Sequence, residues 1–421
     1  MHLRTVLNAV YRHKGFIYRD ERFSSDGTCI EVSVRPRQGS RGLCSRCGQP
    51  GPTYDTQKQR TFWMVPIWSI AVCLLYAPRR INCRHCQAVC IERIPWAISQ
   101  KSSLTSAFAH CLASWARSLS WKEVAHRWQT TWEKVAQSLE WFVDWGLEHR
   151  QLADIYAIGV DEIQGSKGHR YKTLVYQIDA GAKRLLWIGQ ERTKESFGEF
   201  FTEFDGYLTQ VRVVCSDMWQ GYLAVIAEQL PQALNVLDRF HIVKKLNEAI
   251  DQTRRDEVKR LREQGKEAYL SKTRWIWLKR LTNLTGGQYI KLNELLTMNL
   301  RTVKAHFFKE HFNRFWDYTQ AAWAERFLDT WCTDVMRHRS LPHLKKFVGT
   351  LRSHKDLIMN YFRAKSSLRQ AFSSGIVEGF NNKAKLSLRK SYGFRTVKYQ
   401  DVALYHALGN LPEPEATHRF G

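Results

Sequence analysis

Residues 211–217 read VRVVCSD, a short apolar run that stops at an aspartate. A run of that kind fits a strand buried on both faces, and the acid that follows it belongs to a sheet edge. The pattern occurs once more upstream, where IYAIGV (155–160) stops at Asp161. Between the two lie HRYKTLVYQI (169–178) and KRLLWIGQ (183–190), which read as strands joined by the turn signal DAGAK. KESFGEFFTEFDGYLT (194–209) then places Phe197, Phe200, Phe201, Phe204, Tyr207 and Leu208 on one helical face. The order is strand, strand, strand, helix, strand. With the first and fourth strands as parallel neighbours, Asp161 and Asp217 emerge on the same edge.

That edge is how a ribonuclease-H-like fold assembles a divalent metal site, and a third carboxylate from a late helix would complete it. The stretch SSGIVEGFNNKAK (373–385) supplies Glu378. At helical spacing Val377, Phe380, Ala384 and Leu388 share one side, while Glu378, Asn382, Lys385 and Arg389 share another. Hard magnesium ions take oxygen ligands and keep positions open for substrate. Two of them activate an attacking oxygen and stabilise the leaving one in a phosphodiester displacement. Glu162, Asp179, Glu191 and Asp205 read as ordinary surface charges. A further cluster, NVLDRFHIVKKLNEAI (235–250), opens an amphipathic helix with Asp238 and His241; its pattern alone fits an N-cap aspartate with a solvent histidine.

The cysteines divide into two kinds. Cys29, Cys73, Cys111, Cys215 and Cys332 sit singly in apolar surroundings and read as buried thiols. LCSRCGQP (43–50) and NCRHCQAVC (82–90) instead form two knuckles, Cys44 with Cys47 and Cys83 with Cys86. Four thiolates brought together in this way suit a structural zinc ion; Cys90 or His85 can replace one of them. The intervening TFWMVPIWSIAVCLLYAPRRI (61–81) reads as two strands.

Residues 1–42 read as a basic arm with one strand-like stretch, CIEVSVRP, and 43–95 as the zinc-binding module. SLSWKEVAHRWQTTWEKVAQSLEWF, within 100–150, has the layout of a helix-turn-helix. One helix covers about 120–128, Gln129 and Thr130 make the turn, and Thr131 caps a second helix. Val124, Ala125, Trp128, Val135 and Leu139 fall on faces that pack together. In the major groove the second helix would present Lys134 and Gln137 to base edges, although Glu133 and Glu140 lie on it too.

Lys and Arg number 64 against 40 Asp and Glu, a net charge of +24 over 421 residues. Self-repulsion on that scale is relieved by a polyanion, which points to nucleic acid. No run reaches the roughly 20 apolar residues of a membrane helix. MHLRTVLNAVYRHKG lacks the apolar core of a secretory signal, so the expected location is the cytoplasm.

Four segments then carry a family resemblance: VDEIQGSKGHRYKTLVYQID, VVCSDMWQGYLAVIAEQLPQA, LDRFHIVKKLNEAIDQTRR and GIVEGFNNKAKLSLRKSYGFR. Together, and in this order, they resemble the transposases of the ISL-three group of bacterial insertion sequences, over nearly the whole chain. The resemblance implies a DDE transposase with Asp161, Asp217 and Glu378 as the metal-binding triad and Asp238 and His241 as supporting residues. It implies a multidomain chain: zinc module, helix-turn-helix, and an α/β ribonuclease-H-like core over 154–421, interrupted by an all-helical insertion at about 251–365. WIWLKRL, FFKEHFNRFW and AAWAERFLDTW read as helices of that insertion. The expected cofactors are two Mg²⁺ (or Mn²⁺) ions per active site and structural Zn²⁺. The expected partners are double-stranded DNA, as transposon ends and target, and further copies of the chain; the expected setting is the bacterial nucleoid. Lys385, Arg389 and Arg395 are the candidates for phosphate contacts. A DNA-binding regulator and a nuclease without strand transfer are the competing readings.

Overall fold

The computed structural model describes residues 2–166, 170–179, 181–367, 375–390, 394 and 396–414. The chain divides into two compact units, Met1–Gln151 with Lys383–Gly421, and Leu152–Asn382.

The second unit is built on a five-stranded sheet in the order Lys183–Gly189, Arg170–Ile178, Ala157–Ser166, Val213–Ser216, Leu234–Leu237. Its first three strands pair antiparallel, as the short spacing between them in sequence allows. Ala157–Ser166 runs parallel to Val213–Ser216, with Ala157 opposite Val213 and Gly159 opposite Cys215. The intervening helix, Lys194–Glu203, makes the crossover that parallel pairing requires. Val213–Ser216 in turn pairs in parallel with Leu234–Leu237 after the helix Gln220–Gln229. Phe197, Phe200, Phe201, Phe204 and Leu208 are buried with Tyr222 and Ile226 against Val160, Val175 and Val214. Tyr207, expected on the same face, is 48% exposed, since the α-helix ends at Glu203 and a 3₁₀ turn, Asp205–Tyr207, rotates it outward.

Helix Arg239–Glu263 leaves the last strand. Beyond it, among the described residues as far as Ser367, the structure is wholly helical, through Arg274–Leu278, Gly286–Leu296, Arg301–Asn313, Ala321–Arg337, Pro342–Ser353 and Lys355–Ser367. Leu246, Trp277, Phe312, Phe315, Trp331, Phe347 and Phe362 form a core of its own. Glu257, fully buried on the long helix, accepts hydrogen bonds from the backbone N–H groups of Arg301 (2.8 Å) and Thr302 (2.7 Å) and from the Thr302 hydroxyl (2.6 Å). A carboxylate there satisfies the open amides of helix Arg301–Asn313 and complements its dipole, which ties two distant segments together.

The first unit departs from the expected arm. Residues 1–42 contribute a helix, Leu3–Val10, and two strands, Phe16–Phe23 and Cys29–Pro36, to a four-stranded sheet. Its other strands are Ile70–Tyr76 and Arg60–Ile67, the apolar pair expected between the cysteine knuckles. Burial of Val32, Val34, Phe62, Leu74, Tyr76 and Trp96 in one core explains why the segment folds instead of trailing.

Helices Trp121–Arg127 and Trp132–His149 match the expected pair, preceded by Ser106–Ala116. Ser120 and Glu123 form a capping box, and Thr131 accepts from the Lys134 N–H. Val124, Ala125, Val135 and Leu139 are buried together, with Trp128 packed against them. Gln129 in the turn has φ of +48°, the left-handed conformation that glycine takes without strain. Its side chain is exposed. Gln129→Gly should therefore raise stability by about 1 kcal/mol, read as a shifted denaturant midpoint at unchanged slope.

Residues 383–421 belong with this unit and not with the sheet unit, contrary to a boundary at 154 with everything beyond it in one core. The reason is aromatic packing. Phe394 and Tyr399 stand edge-on to Trp121 at 5.1 and 5.6 Å, and Val402 and Ala403 of helix Val397–Leu408 enter the helical core.

Candidate active site

Three strands adjacent in the sheet carry an acid at or just past their parallel pairing. The first does not stop at Asp161, as the run IYAIGV suggests, but continues to Ser166 in its antiparallel pairing with Arg170–Ile178. Asp161 lies on strand Ala157–Ser166, Asp217 follows Val213–Ser216, and Asp238 follows Leu234–Leu237. Because Val213–Ser216 pairs in parallel with both neighbours, the three carboxylates come out at the carboxyl end of that parallel pairing, where open α/β sheets bind ligands. All three are buried.

Asp161, Asp238 and His241 each offer a ligand atom within 4.8 Å of the others. His241 Nε2 is 3.8 Å from a carboxylate oxygen of Asp161 and of Asp238. Asp238 also caps its helix, accepting from the Phe240 N–H at 2.8 Å. The N-cap reading therefore holds, while the histidine is no solvent group. Burial disfavours the charged His241 ring, but Asp161, Asp238 and Asp217 outweigh it and raise its pKa.

Asp217 is held differently. Its Oδ1 accepts from the Trp219 N–H at 2.9 Å and its Oδ2 from Arg192 at 2.9 Å. The Arg192 guanidinium also lies 3.2 Å from Glu162 and 5.0 Å from the centre of the Trp219 ring. Glu162, read from sequence as a surface charge, instead faces this centre. On a pleated strand it points opposite to Asp161, towards the side that carries Val160 and Tyr222. Burial, with the nearby Asp217 charge, pushes its carboxyl up to about 7, against the pull of Arg192. Burial likewise raises Asp217, against its bonds to the Trp219 N–H and Arg192. Asp179 proves structural, accepting from the Tyr156 and Ala157 N–H groups, whereas Glu191 and Asp205 are exposed as expected.

Glu378 stands in the first turn of helix Gly375–Lys390, half-buried. That helix docks on the sheet beside Asp161. Val377 Cγ2 lies so close to Gly159 that a Cβ there would meet it at 2.5 Å, which requires glycine. Phe380 stacks on Tyr176 at 4.7 Å, and the Tyr176 hydroxyl donates to Asn381 at 2.9 Å. The Asn381 amide N–H in turn donates to Asp161. Glu378 lies one turn before Asn381 and makes no hydrogen bond or ion pair among the described residues. The tight donor group is thus Asp161, Asp238 and His241, not the expected three acids. Lys385 and Arg389 are exposed on the helix, and Arg395 lies outside the described residues.

At this centre two buried atoms, Oε2 of Glu162 and Nε of Arg192, lack a hydrogen-bonding partner among the described residues, and of these the carboxylate oxygen is the one a cation can use. With an oxygen-rich donor group next to them, the centre fits a hard divalent cation.

The cysteines form a second candidate metal centre. Sulfurs of Cys44, Cys47, Cys83 and Cys86 lie within 4.8 Å of one another, with Cys44–Cys86 at 3.9 Å and Cys47–Cys83 at 3.6 Å. Tetrahedral zinc–thiolate bonds of about 2.3 Å require sulfur separations near ~3.8 Å, so the set fits zinc. Backbone N–H groups of Arg46 and Cys86 point at the Cys44 and Cys83 sulfurs, and Gly48 and Gln87 take positive φ where each knuckle turns back. Backbone N–H groups, that of Cys47 foremost, pull the Cys44 thiol down to about 6. Cys90 packs 3.3 Å from Cys44, whereas His85 is exposed and outside the set.

The expected base-reading residues are less available. Lys134 lies 5.1 Å over the Trp63 ring, and burial lowers its pKa. Gln137 lines a cleft of about 440 Å³ together with Glu140, Asp144 and Glu148, acids that oppose a phosphate there.

Residues 158–403 match the sequence profile of a transposase family, the DDE transposases of the ISL3 type. The chain belongs to the ISL3 transposase family. It is similar to the transposase of insertion sequence IS1001 from Bordetella parapertussis, 28% identical over 400 residues, spanning 94% of this chain and 96% of that one. The transposase of IS1557 from Mycobacterium tuberculosis is 26% identical over 402 residues, spanning 90% and 88%. Among solved structures, the Drosophila P element transposase strand transfer complex aligns with a TM-score of 0.42 at 11% identity, over 74% of this chain and 93% of that one. No helix among the described residues of this ISL3 transposase is long and apolar enough to cross a membrane.

Proposed function

We propose that this transposase binds the terminal inverted repeats of its own insertion sequence, cuts DNA there and joins the freed 3′-hydroxyl to target DNA. The observation that carries the reading is the gathering of Asp161, Asp238 and His241 within 4.8 Å of one another, with Asp217 after the parallel strand between them and Asn381 of a distant helix reaching Asp161. A sheet of this strand order with acids at that edge supports the ribonuclease-H-like reading of the core. Asp161, Asp217 and Glu378 are our candidates for the catalytic carboxylates, with Asp238 and His241 as supporting groups. Magnesium or manganese, held there as two ions, would supply the Lewis acidity that phosphodiester displacement needs.

The chain's own residues have distinct duties in this scheme. Asn381 fixes the Asp161 carboxylate against the sheet, and the Trp219 N–H fixes that of Asp217. Arg192 balances the charge of Glu162 and Asp217, which together would repel. Lys385 and Arg389 are exposed on the helix that carries Glu378 and are candidates for phosphate contacts, whose signature is a steep salt dependence of binding. The zinc module and the helix-turn-helix of the first unit are the candidates for end binding; the acids around Gln137 shift the expected reading away from its groove-facing side. Joining two ends requires at least two copies of the chain, and a nucleoid setting follows from DNA as substrate.

The test is to incubate the protein with labelled end DNA, a target plasmid and Mg²⁺. Joined products are expected. Cut but unjoined ends would replace this reading with a nuclease, and retarded but intact DNA with a regulator.

A further inference from the structure

The helical part of the sheet unit contains a cleft of about 660 Å³ that the acid centre does not use. Its walls carry three guanidinium groups, Arg239, Arg280 and Arg314, with Phe307, Glu310 and Asp317. Arg239 immediately follows Asp238 and begins helix Arg239–Glu263, so one residue of the cleft wall is next in sequence to an acid of the cluster. Its guanidinium lies 5.1 Å from the centre of the Trp316 ring.

The cleft carries three guanidinium groups against two carboxylates, so its acids offset the positive charge only in part. Glu310 is paired with Lys309 at 3.1 Å, and Asp317 is the carboxylate whose charge acts on Arg239. Among the described residues, no ion pair engages Arg280 or Arg314. Phe307 is a large aromatic side chain left 58% exposed at the same place. Like-charged side chains gathered beside an open aromatic ring form the pattern of a groove that tracks phosphates while a base stacks. A cavity of this volume is the size of small-ligand pockets and admits a nucleotide or two, but not a duplex.

We infer that the cleft between helices Arg239–Glu263 and Arg301–Asn313 binds an unpaired stretch of the DNA strand next to the cut, with Arg280 and Arg314 on its phosphates and Phe307 against a base. The inference rests on the reading of the protein as a DNA-cutting enzyme. Arg239, next in sequence to Asp238, is what links the cleft to the acid centre, and separation of the two DNA strands is what lets a base enter.

The test uses the full chain and a short oligothymidylate carrying 5-iodouracil, photocrosslinked and mapped by peptide mass. The crosslink is expected on Phe307 or its immediate neighbours in Arg301–Asn313. Arg280→Gln with Arg314→Gln should weaken anisotropy-measured binding of the oligonucleotide about tenfold. It should also flatten the salt dependence, by about 0.7 in log–log slope for each phosphate no longer neutralised. Phe307→Ala should weaken binding several-fold at unchanged slope. Circular dichroism checks that each variant is folded, and the three positions are surface ones where substitution leaves the core intact. Crosslinks mapping elsewhere, or variants that bind like the parent, would overturn the proposal. So would thymidine monophosphate displacing the oligonucleotide at equal nucleotide concentration, which would make this a site for free nucleotides. A parent protein that crosslinks at Phe307 yet never cuts end DNA would sink the catalytic reading and leave the cleft standing.

Discussion

Asp161→Asn is expected to reduce cutting of end DNA by at least about a thousandfold while leaving end binding within about twofold. The magnitude follows from the place of the side chain. Among the described residues, Asp161 is the one acid that faces Asp238, His241 and Asn381 together. Asparagine keeps its shape but offers a neutral oxygen to a hard cation, and loss of transition-state charge stabilisation at such a centre costs about 4 kcal/mol or more, at about 1.4 kcal/mol for each factor of ten. Stability should not suffer, because removing one buried negative charge also relieves its repulsion with Asp217 and Glu162, the two acids whose carboxyl pKa values are raised. A gel assay of cleavage beside an anisotropy titration on the same end DNA reads both quantities. Equal loss of binding and cutting would mean that Asp161 supports the fold, and that the acid edge has been misread.

The second large effect concerns the cysteines. Cys83→Ser should abolish the stoichiometric zinc of the purified protein, about one ion per chain, and unfold the module around it. Structural zinc sites carry apparent binding free energies of about 10–16 kcal/mol, and the sheets here are too small to fold without such a tie. The strands near the knuckles are four or five residues at most, and their small core consists of Ile81 with the cysteines themselves. Cys90→Ser and His85→Ala should retain zinc, since neither residue is in the tetrahedral set. Metal release on thiol modification, followed with a chromogenic chelator, gives the stoichiometry, and limited proteolysis reports the loss of structure. Retention of zinc by Cys83→Ser together with its loss in Cys90→Ser would exchange the two ligands.

Much of the site was readable without coordinates because each signal was local. An aspartate that follows an apolar run announces itself within seven residues, as in VRVVCSD and IYAIGVD, although only the first of these strands stops there. Two CxxC knuckles are likewise local, and so is the helical spacing that separates Val377 and Phe380 from Glu378. What escaped was every group whose role depends on a partner far along the chain. Asn381 stood in plain view within GFNN, yet nothing in that stretch points to Asp161, 220 positions away. Glu162 looked like any surface acid; only Arg192 and Asp217 close around it make it otherwise. Arg192 itself sits in a polar stretch, GQERTKES, without periodicity to mark it. The helix Val397–Leu408 carried an apolar face with no visible destination, and residues 16–36 carried two strands that pair with each other, the second of them also with Ile70–Tyr76 beyond the first knuckle.

The amino-acid order by itself determined the kinds of element, the acids that follow apolar runs, the four thiolates and the excess of positive charge. Each of these follows from chain neighbours or from a sum over the chain, so no folded geometry is required to see it. The tertiary structure alone decided which acid meets which, that His241 joins Asp161 and Asp238, that Asp217 is held by Arg192, and that the last forty or so residues pack with the first unit. Those outcomes turn on burial: once water is excluded, a charge must find a partner and an aromatic face must find a surface, and both lie wherever folding has brought distant segments together.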